Sequence, residues 1–155
     1  MPLGPSLKTR ALAYLARREH SRLELEKKLA AHAPNSEELA RVLDELEQCG
    51  ALSATRMAEQ VIHMRKSRFG SRRIMRELRE KGIPENLIAA QLPNIKEAEQ
   101  LSAYEVWRKK FGAMPVNARE LGRQMRFMRG RGFTPETISR ILRHVEEEGH
   151  PKSDS

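Results

Sequence analysis

The sequence contains a single cysteine, Cys49, in 155 residues. One thiol cannot form an internal disulfide, so cysteine usage gives no indication of an oxidising compartment. The N-terminal residues MPLGPSLKTR lack the apolar run and cleavage site of a secretory signal. No stretch approaches the roughly 18 apolar residues that a membrane-spanning helix needs. We therefore expect a soluble, cytoplasmic protein that does not bind membranes.

Patterns that carry catalytic or metal chemistry are also missing. There is no glycine-rich phosphate loop and no nucleophile elbow. None of the five histidines pairs with another histidine or with Cys49 at the spacing of a zinc site. No carboxylate cluster lies within the basic segments, which disfavours a hydrolase or nuclease. The sequence predicts a non-enzymatic protein without a metal or other cofactor.

Aromatic residues make up only 5% of the chain, which argues against broad platforms for stacking bases. We interpret Trp107 and Phe111 as core residues. Charged residues, in contrast, make up 32%, with a net charge of +8 and a pI of about 10.1. A basic excess of this size favours a polyanionic partner, either nucleic acid or an acidic protein groove.

Hydrophobic periodicity is helical along the whole chain, and no stretch alternates as a strand does. Ser21 with Glu24 and Asn117 with Glu120 have the spacing of capping boxes. Ser36 is predicted to cap the third helix, Gly50 to stop it, and Thr134-Pro135 to open the ninth. The nine predicted helices are 7–18, one opening at 21, 36–50, 54–68, 71–82, 84–91, 95–111, one opening at 117 and one opening at 134.

The sequence is similar to itself at a shift of about 50 residues. That shift places Arg73, Arg76, Arg79 and Lys81 on Arg123, Arg126, Arg129 and Arg131. The same shift aligns Gly82 with Gly132 and Ile83 with Phe133. We therefore predict an all-α protein of three tandem three-helix repeats forming an elongated, curved, right-handed array. The predicted repeats are 1–53, 54–93 and 94–155, the last ending in a short disordered tail.

Positive charge is concentrated in the second and third repeats. Residues 1–53 carry 8 basic and 8 acidic residues, 54–93 carry 9 and 4, and 94–155 carry 12 and 9. On a helix over 71–82, Arg72, Arg76 and Arg79 share a face opposite an apolar stripe that contains Ile74 and Leu78. In the eighth helix, Arg119, Arg123 and Arg126 repeat that spacing opposite Leu121, Met125 and Met128.

Two interpretations of these arginine stripes remain open. A charge run on a helix is often only a solvated face, and Glu77 and Glu80 could pair with Arg73, Arg76 and Lys81. Recurrence of the stripe in two repeats, with few acidic residues to balance it, favours a binding surface. Arginine suits this role because its planar fork of donors matches carboxylate and phosphate.

Three stretches in order resemble the RecX family, the bacterial regulators of the RecA recombinase. They are ALAYLARREHSRLELEKKL, GSRRIMRELREKGIP and RQMRFMRGRGFTPETI, and the resemblance covers about residues 8–145. Two positions differ from the family pattern. Leu52-Ser53-Ala54 stands where the family has Leu-Asp-Asp, and Met57 replaces an aromatic residue.

The resemblance implies a partner and a mode of action. RecX proteins act on the filament that RecA forms on single-stranded DNA, lie in its helical groove and bridge neighbouring subunits. They inhibit ATP hydrolysis, strand exchange and the LexA self-cleavage that the filament stimulates, which tempers the SOS response. The implied partners are the RecA filament and single-stranded DNA, with weaker binding to double-stranded DNA, for a protein expected to be a monomer.

The candidate residues for binding RecA or DNA are all arginines. They are Arg17, Arg18, Arg72, Arg73, Arg76, Arg79, Arg119, Arg123, Arg126, Arg129 and Arg131. An alternative hypothesis is a helical-repeat protein that binds single- or double-stranded DNA directly, without RecA. Binding to bare DNA compared with RecA-coated DNA discriminates between the two.

Overall fold

The structure, a computed structural model, describes residues 4–149, and these residues form α-helices with one 3-10 turn at Ala30–His32 and no strand. The all-α prediction is confirmed. The predicted disordered tail extends to 155, and its last six residues lie outside the described part. The helices are α1 (Leu7–Arg17), α2 (Arg22–Leu29), α3 (Ser36–Gln48), α4 (Ala54–Arg65), α5 (Ser71–Glu80), α6 (Glu85–Glu97), α7 (Glu99–Lys110), α8 (Ala118–Gly130) and α9 (Pro135–Gly149).

Side-chain caps start most of these helices where the sequence predicts. Ser21 and Glu24 form the expected reciprocal capping box at α2. Thr134 Oγ1 accepts a hydrogen bond from the Thr137 backbone N–H at 3.2 Å and caps α9. At α4, Ser53 Oγ accepts from the Arg56 N–H at 3.2 Å, so a serine caps the helix where the family has an acidic residue.

Two predicted caps are wrong in detail. The cap of α3 is Asn35, not Ser36, because Asn35 Oδ1 accepts from the Glu38 N–H at 2.8 Å. At α8 the Asn117 side chain caps as predicted, but Glu120 does not close the box on Asn117. Its carboxylate accepts from the Val116 N–H at 3.1 Å, one residue earlier.

Gly50, Gly82 and Gly132 end their helices in the left-handed conformation. Their φ angles are 80°, 78° and 91°. In the latter two, the N–H of the next residue, Ile83 or Phe133, returns to a carbonyl of the preceding turn. Both of these side chains are buried against that turn.

The boundary between α6 and α7 differs from the prediction. The sequence predicts that one helix ends at 91 and that the next starts at 95. Instead α6 continues through Pro93 to Glu97, and α7 begins at Glu99. Ile88 and Ile95 lie two turns apart and are both buried. Continuing the helix places both on one face, and their burial offsets the hydrogen bond that proline cannot donate.

The chain forms two compact units, which do not coincide with the predicted repeats. The first comprises the described residues up to Val61 together with Leu78–Ala90, and the second Ile62–Glu77 together with the described residues from Gln91 onwards. In the first unit, α1, α2 and α3 pack on one another around a leucine-rich core that includes Leu25, Leu29 and Leu43. The repeat boundaries stay a prediction.

The second unit has its own core, in which α7 packs against α8 and α9. Trp107, Met128 and Phe133 are among its buried residues. The Trp107 Nε1–H donates to Gln124 Oε1 at 2.8 Å, and Gln124 Nε2 donates to the Ala113 carbonyl at 3.0 Å. Trp107 is therefore a core residue, as predicted, with its one polar atom satisfied.

Candidate functional site

The arginine stripe of α5 lies on the face that the helical period predicts. Ile74 and Leu78 are 1% and 0% exposed, whereas Arg72, Arg76 and Arg79 are exposed. The face opposite the core therefore carries three guanidinium groups over about two turns. The predicted division of α5 into a buried apolar face and an exposed arginine face is confirmed.

The N-terminus of α5 is fixed within the second unit by acceptors from distant parts of the chain. The backbone N–H and the hydroxyl of Ser71 both donate to Glu99 Oε1 at 3.1 Å. The Arg72 N–H donates to the Gly132 carbonyl at 3.0 Å. A carboxylate and a carbonyl thus satisfy donors that a helix start leaves unpaired, and the negative charge of Glu99 complements the helix dipole. The first turn of the arginine stripe consequently has a defined position.

Two of the candidate arginines are engaged by glutamates. Arg79 Nε lies 2.6 Å from Glu85 Oε1, and this hydrogen bond raises the pKa of Arg79. Arg18 Nη2 lies 2.8 Å from Glu24 Oε2, and its Nη1 donates to the Glu19 carbonyl. The pair at Arg79 is exposed on both sides and is therefore weak enough to exchange for another anion.

Arg18 is exposed, and it belongs to a network of polar contacts in the first unit. Burial alone would raise the pKa of Glu24, but hydrogen bonds from Arg18 and from the Ser21 N–H, with the charge of Lys81 at 3.4 Å, hold that pKa at about 2. Glu24 therefore stays ionised and keeps Arg18 in place.

The expected pairing of Glu77 within α5 is wrong. Its carboxylate accepts from Arg65 Nε of α4 at 3.0 Å. Lys81, for which Glu77 and Glu80 were the expected partners, contacts Glu24 instead. Glu77 thus does not form the intrahelical pair that the solvated-face interpretation assumes.

Three candidate arginines lie on aromatic rings of the second unit. The Arg73 guanidinium is 4.8 Å from the centre of the Phe69 ring, and that of Arg131 is 5.4 Å from both Phe69 and Phe127. The Phe111 and Phe127 rings meet edge to face at 5.5 Å, and Arg123 lies 5.7 Å from Phe111. We call this chain of contacts the cation–aromatic ladder: Arg73, Phe69, Arg131, Phe127, Phe111 and Arg123.

The remaining candidates are exposed. Within the described residues none of these has an ion pair with a carboxylate: Arg17, Arg72, Arg119, Arg126 and Arg129. On α8 the opposite face also departs from prediction. Leu121 is 37% exposed, and Gln124 is buried in its place because it bonds Trp107. Met128 is fully buried, as expected.

A shallow groove opens beside the ladder, and sequence reasoning did not find it. Its volume is about 300 Å³, and its lining includes Arg68, Lys109, Lys110, Phe127 and Arg131. We call it the Phe127 groove. The signal in the sequence is the stretch WRKKF at the end of α7, where three cations precede Phe111. Lys110 Nζ also lies 5.1 Å from the centre of the Phe127 ring.

The described residues offer little for other chemistry. Across residues 4–149, no group of three histidine, cysteine, aspartate or glutamate side chains is placed to hold a metal ion. Within the same range, no helix has the length and apolarity to cross a bilayer. The buried His20 is a structural residue: its ring nitrogens bond the Arg18 carbonyl and Lys28 Nζ. Burial lowers its pKa, which favours the neutral form.

Capped helices with their own cores and a surface rich in arginine and lysine define an all-helical, modular protein with a basic surface. Models of the three RecX three-helix domains match residues 8–46, 55–92 and 97–142, in order. These ranges follow α1–α3, α4–α6 and α7–α9. The chain belongs to the RecX family.

Relatives and solved structures agree with this assignment. The chain is 46% identical to the regulatory protein RecX of Leptothrix cholodnii over 92% of this chain and 91% of that one. Identity to the RecX of Ralstonia pickettii is 42%, over 95% and 93%. The crystal structure of RecX from Lactobacillus salivarius has the same fold, with a TM-score of 0.79 at 16% identity, over 90% of this chain and 94% of that chain. These relatives carry the name of regulatory proteins, not of enzymes.

Proposed function

We propose that this chain modulates the RecA recombinase by binding the RecA filament on single-stranded DNA in its helical groove. Membership of the RecX family supports the identity of the partner. The observation that carries the proposal for the site is the arginine face of α5. It is exposed, it lies opposite a fully buried stripe, and its first turn is fixed by Glu99 and Gly132.

The mechanism is steric and electrostatic, not catalytic. A protein that contacts several RecA subunits at once restrains their relative rotation. A filament with restrained subunits hydrolyses ATP more slowly and exchanges strands poorly. The bound protein also occupies the groove of the RecA filament and excludes LexA from it, so LexA self-cleavage falls. Arginine forks on α5 and α8 supply the contacts because acidic side chains and phosphates both accept their paired donors.

The test is a triple variant of the α5 stripe, Arg72→Ala with Arg76→Ala and Arg79→Ala. We expect it to lose most inhibition of RecA's DNA-dependent ATP hydrolysis, because it removes three cations from one face. Circular dichroism should show unchanged helix content, since these side chains lie outside the core.

A matched control removes the same charge elsewhere, by Arg41→Ala with Arg140→Ala and Arg143→Ala. These three arginines are also exposed. The control should inhibit RecA almost as the unmodified protein does. Normal inhibition by the α5 variant would show that this face is not the contact.

Direct binding to nucleic acid, with RecA incidental, is the second candidate. The cation–aromatic ladder and the Phe127 groove favour it, because they form a basic surface that is independent of the α5 stripe. A filament modulator should bind RecA-coated single-stranded DNA much more tightly than the same DNA bare. Equal affinities at physiological salt would favour the direct binder.

A further inference from the structure

We propose that the Phe127 groove binds the phosphate backbone of single-stranded nucleic acid, and that it does so without RecA. This inference assigns the contact with nucleic acid to one surface of the protein. It rests on the proposed function for the position of that surface in the RecA filament. The groove belongs entirely to the second unit. Three of its cations, Arg68, Lys109 and Lys110, are absent from the sequence-based candidates.

The Phe127 groove carries an excess of positive charge. Four cations line the groove, and within residues 4–149 none of them forms an ion pair: Arg68, Lys109, Lys110 and Arg131. The groove's acidic residue, Glu105, is already engaged by Arg108 at 3.0 Å, and this hydrogen bond lowers the pKa of Glu105. A concave surface with several unbalanced positive charges attracts an anion with several negative charges.

Arg131 has a fixed orientation in the groove. Its guanidinium lies against two rings, Phe69 and Phe127, and donates one hydrogen bond, to the Arg68 carbonyl at 3.4 Å. A guanidinium has five N–H donors, so most of its donors remain available for a ligand. Because the rings already restrict the side chain, binding costs less conformational entropy than it would for a free surface arginine.

The Phe127 groove suits the phosphates of a nucleic acid better than its bases. Phe69 is covered by Arg73 and Arg131, and Phe127 by Arg131 and Lys110. Bases therefore do not find open ring faces of the kind that stacking platforms use. The accessible groups are the N–H donors of the arginine and lysine side chains, which suit phosphate oxygens. Binding should accordingly be insensitive to base sequence.

Positive charge continues beyond the groove through the cation–aromatic ladder. Arg131 lines the groove, and ring contacts about 5 to 6 Å long connect it to Arg73 and Arg123, which lie outside the lining. A single small phosphate would need an enclosed site, whereas this groove is shallow and open. A polymer with repeated phosphates can contact the groove cations and those of the ladder together, which a single small anion cannot.

The test measures binding of labelled oligothymidine by fluorescence anisotropy in the absence of RecA, over a series of salt concentrations. We expect Lys109→Gln with Lys110→Gln to weaken binding at least ten-fold at low salt. The slope of log affinity against log salt should fall by about 1.4, since each lost phosphate contact on a single strand accounts for about 0.7. Oligodeoxyadenosine should bind with the same affinity and slope as oligothymidine.

Arg140→Gln with Arg143→Gln is the matched control, because it removes the same charge from α9 of the same unit. It should change the affinity little. If control and groove variant lose affinity equally, only net charge matters and the inference is wrong. Arg131→Lys adds a second test. It keeps the charge but loses the fork and the ring contacts, so affinity should fall several-fold with an unchanged salt slope, and wild-type binding would contradict the role of Arg131.

Failure of this inference is distinguishable from failure of the proposed function. Suppose the groove variant binds bare oligothymidine normally but no longer associates with RecA-coated DNA. An acidic surface of RecA, not phosphate, then occupies the groove, and the inference is overturned while the proposed function stands. If the groove variant loses bare-DNA binding and the α5 triple variant inhibits RecA normally, the inference holds and the α5 contact fails.

Discussion

The backbone at Gly132 leaves no room for a side chain. Its φ of +91° is strained for other residues, and a Cβ there would collide with the backbone and Cβ of Arg73. We expect Gly132→Ala to lower the free energy of unfolding by about 1–2 kcal/mol from the left-handed conformation, and further from the collision. Urea denaturation monitored by circular dichroism measures this loss.

Gly130→Ala is the natural control for that substitution. Gly130 is the last residue of α8, and a Cβ there meets nothing within 4 Å. Alanine at this position should raise stability by a few tenths of a kcal/mol up to about 1 kcal/mol, since glycine is a poor helix former. Equal losses for the two variants would mean that the close approach of Gly132 and Arg73 does not limit stability.

The sequence predicted which arginines are exposed more successfully than what they contact. Period 3.6 places Arg72 and Arg76 opposite Ile74 without any knowledge of tertiary structure. It gives no information about partners from remote segments, such as Phe69 for Arg131 or Glu24 for Arg18. The Phe127 groove was missed for the same reason: its cations come from three separate stretches of the chain.

The start of α5 depends on a buried carboxylate from another helix. Glu99 is 7% exposed, and its Oε1 accepts both hydrogen bonds from Ser71. Glu99→Ala leaves these buried donors without an acceptor, so we expect a loss of about 1–3 kcal/mol in unfolding free energy. Ser71→Ala removes only the hydroxyl and should cost less, about 0.5–1.5 kcal/mol. Urea denaturation of both single variants and of the double variant provides the measurement.

The double variant decides whether the two residues act together. If Glu99 stabilises the protein through Ser71, the losses should be less than additive in the double-mutant cycle. Strict additivity would show that Glu99 acts elsewhere. A weakened start of α5 should also reduce RecA inhibition by an otherwise intact arginine stripe, because Arg72 lies in the first turn.

The sequence predicted a helix end correctly where a nearby residue such as glycine determines it. The prediction failed where tertiary packing determines the end. Gly50 and Gly82 end helices as expected because the left-handed conformation is intrinsic to glycine. The helix predicted to end at 91 continues through Pro93 to Glu97, and the buried Ile95 lies in this added part. Capping residues one position apart, such as Asn35 and Ser36, have almost equal intrinsic preference, so sequence alone does not separate them.

The net charge of the chain leads to the last prediction. With a net charge of +8 and arginines exposed on α5 and α8, binding to an anionic filament should release counterions. We expect the concentration needed for half-inhibition of RecA's ATP hydrolysis to rise steeply between low and physiological salt. Activity at each salt is normalised to RecA without this protein, since the filament has its own salt dependence.

Thermal unfolding of the protein alone, over the same salt range, is the control. Its exposed ion pairs contribute little, so the melting temperature should change much less than the inhibition does. A half-inhibition concentration that does not depend on salt would mean that apolar contacts dominate, and exposed side chains such as Leu101 and Met64 would replace the arginines as the residues to test. A steep dependence that the α5 triple variant and the groove variant each reduce would assign the binding charge to these two surfaces.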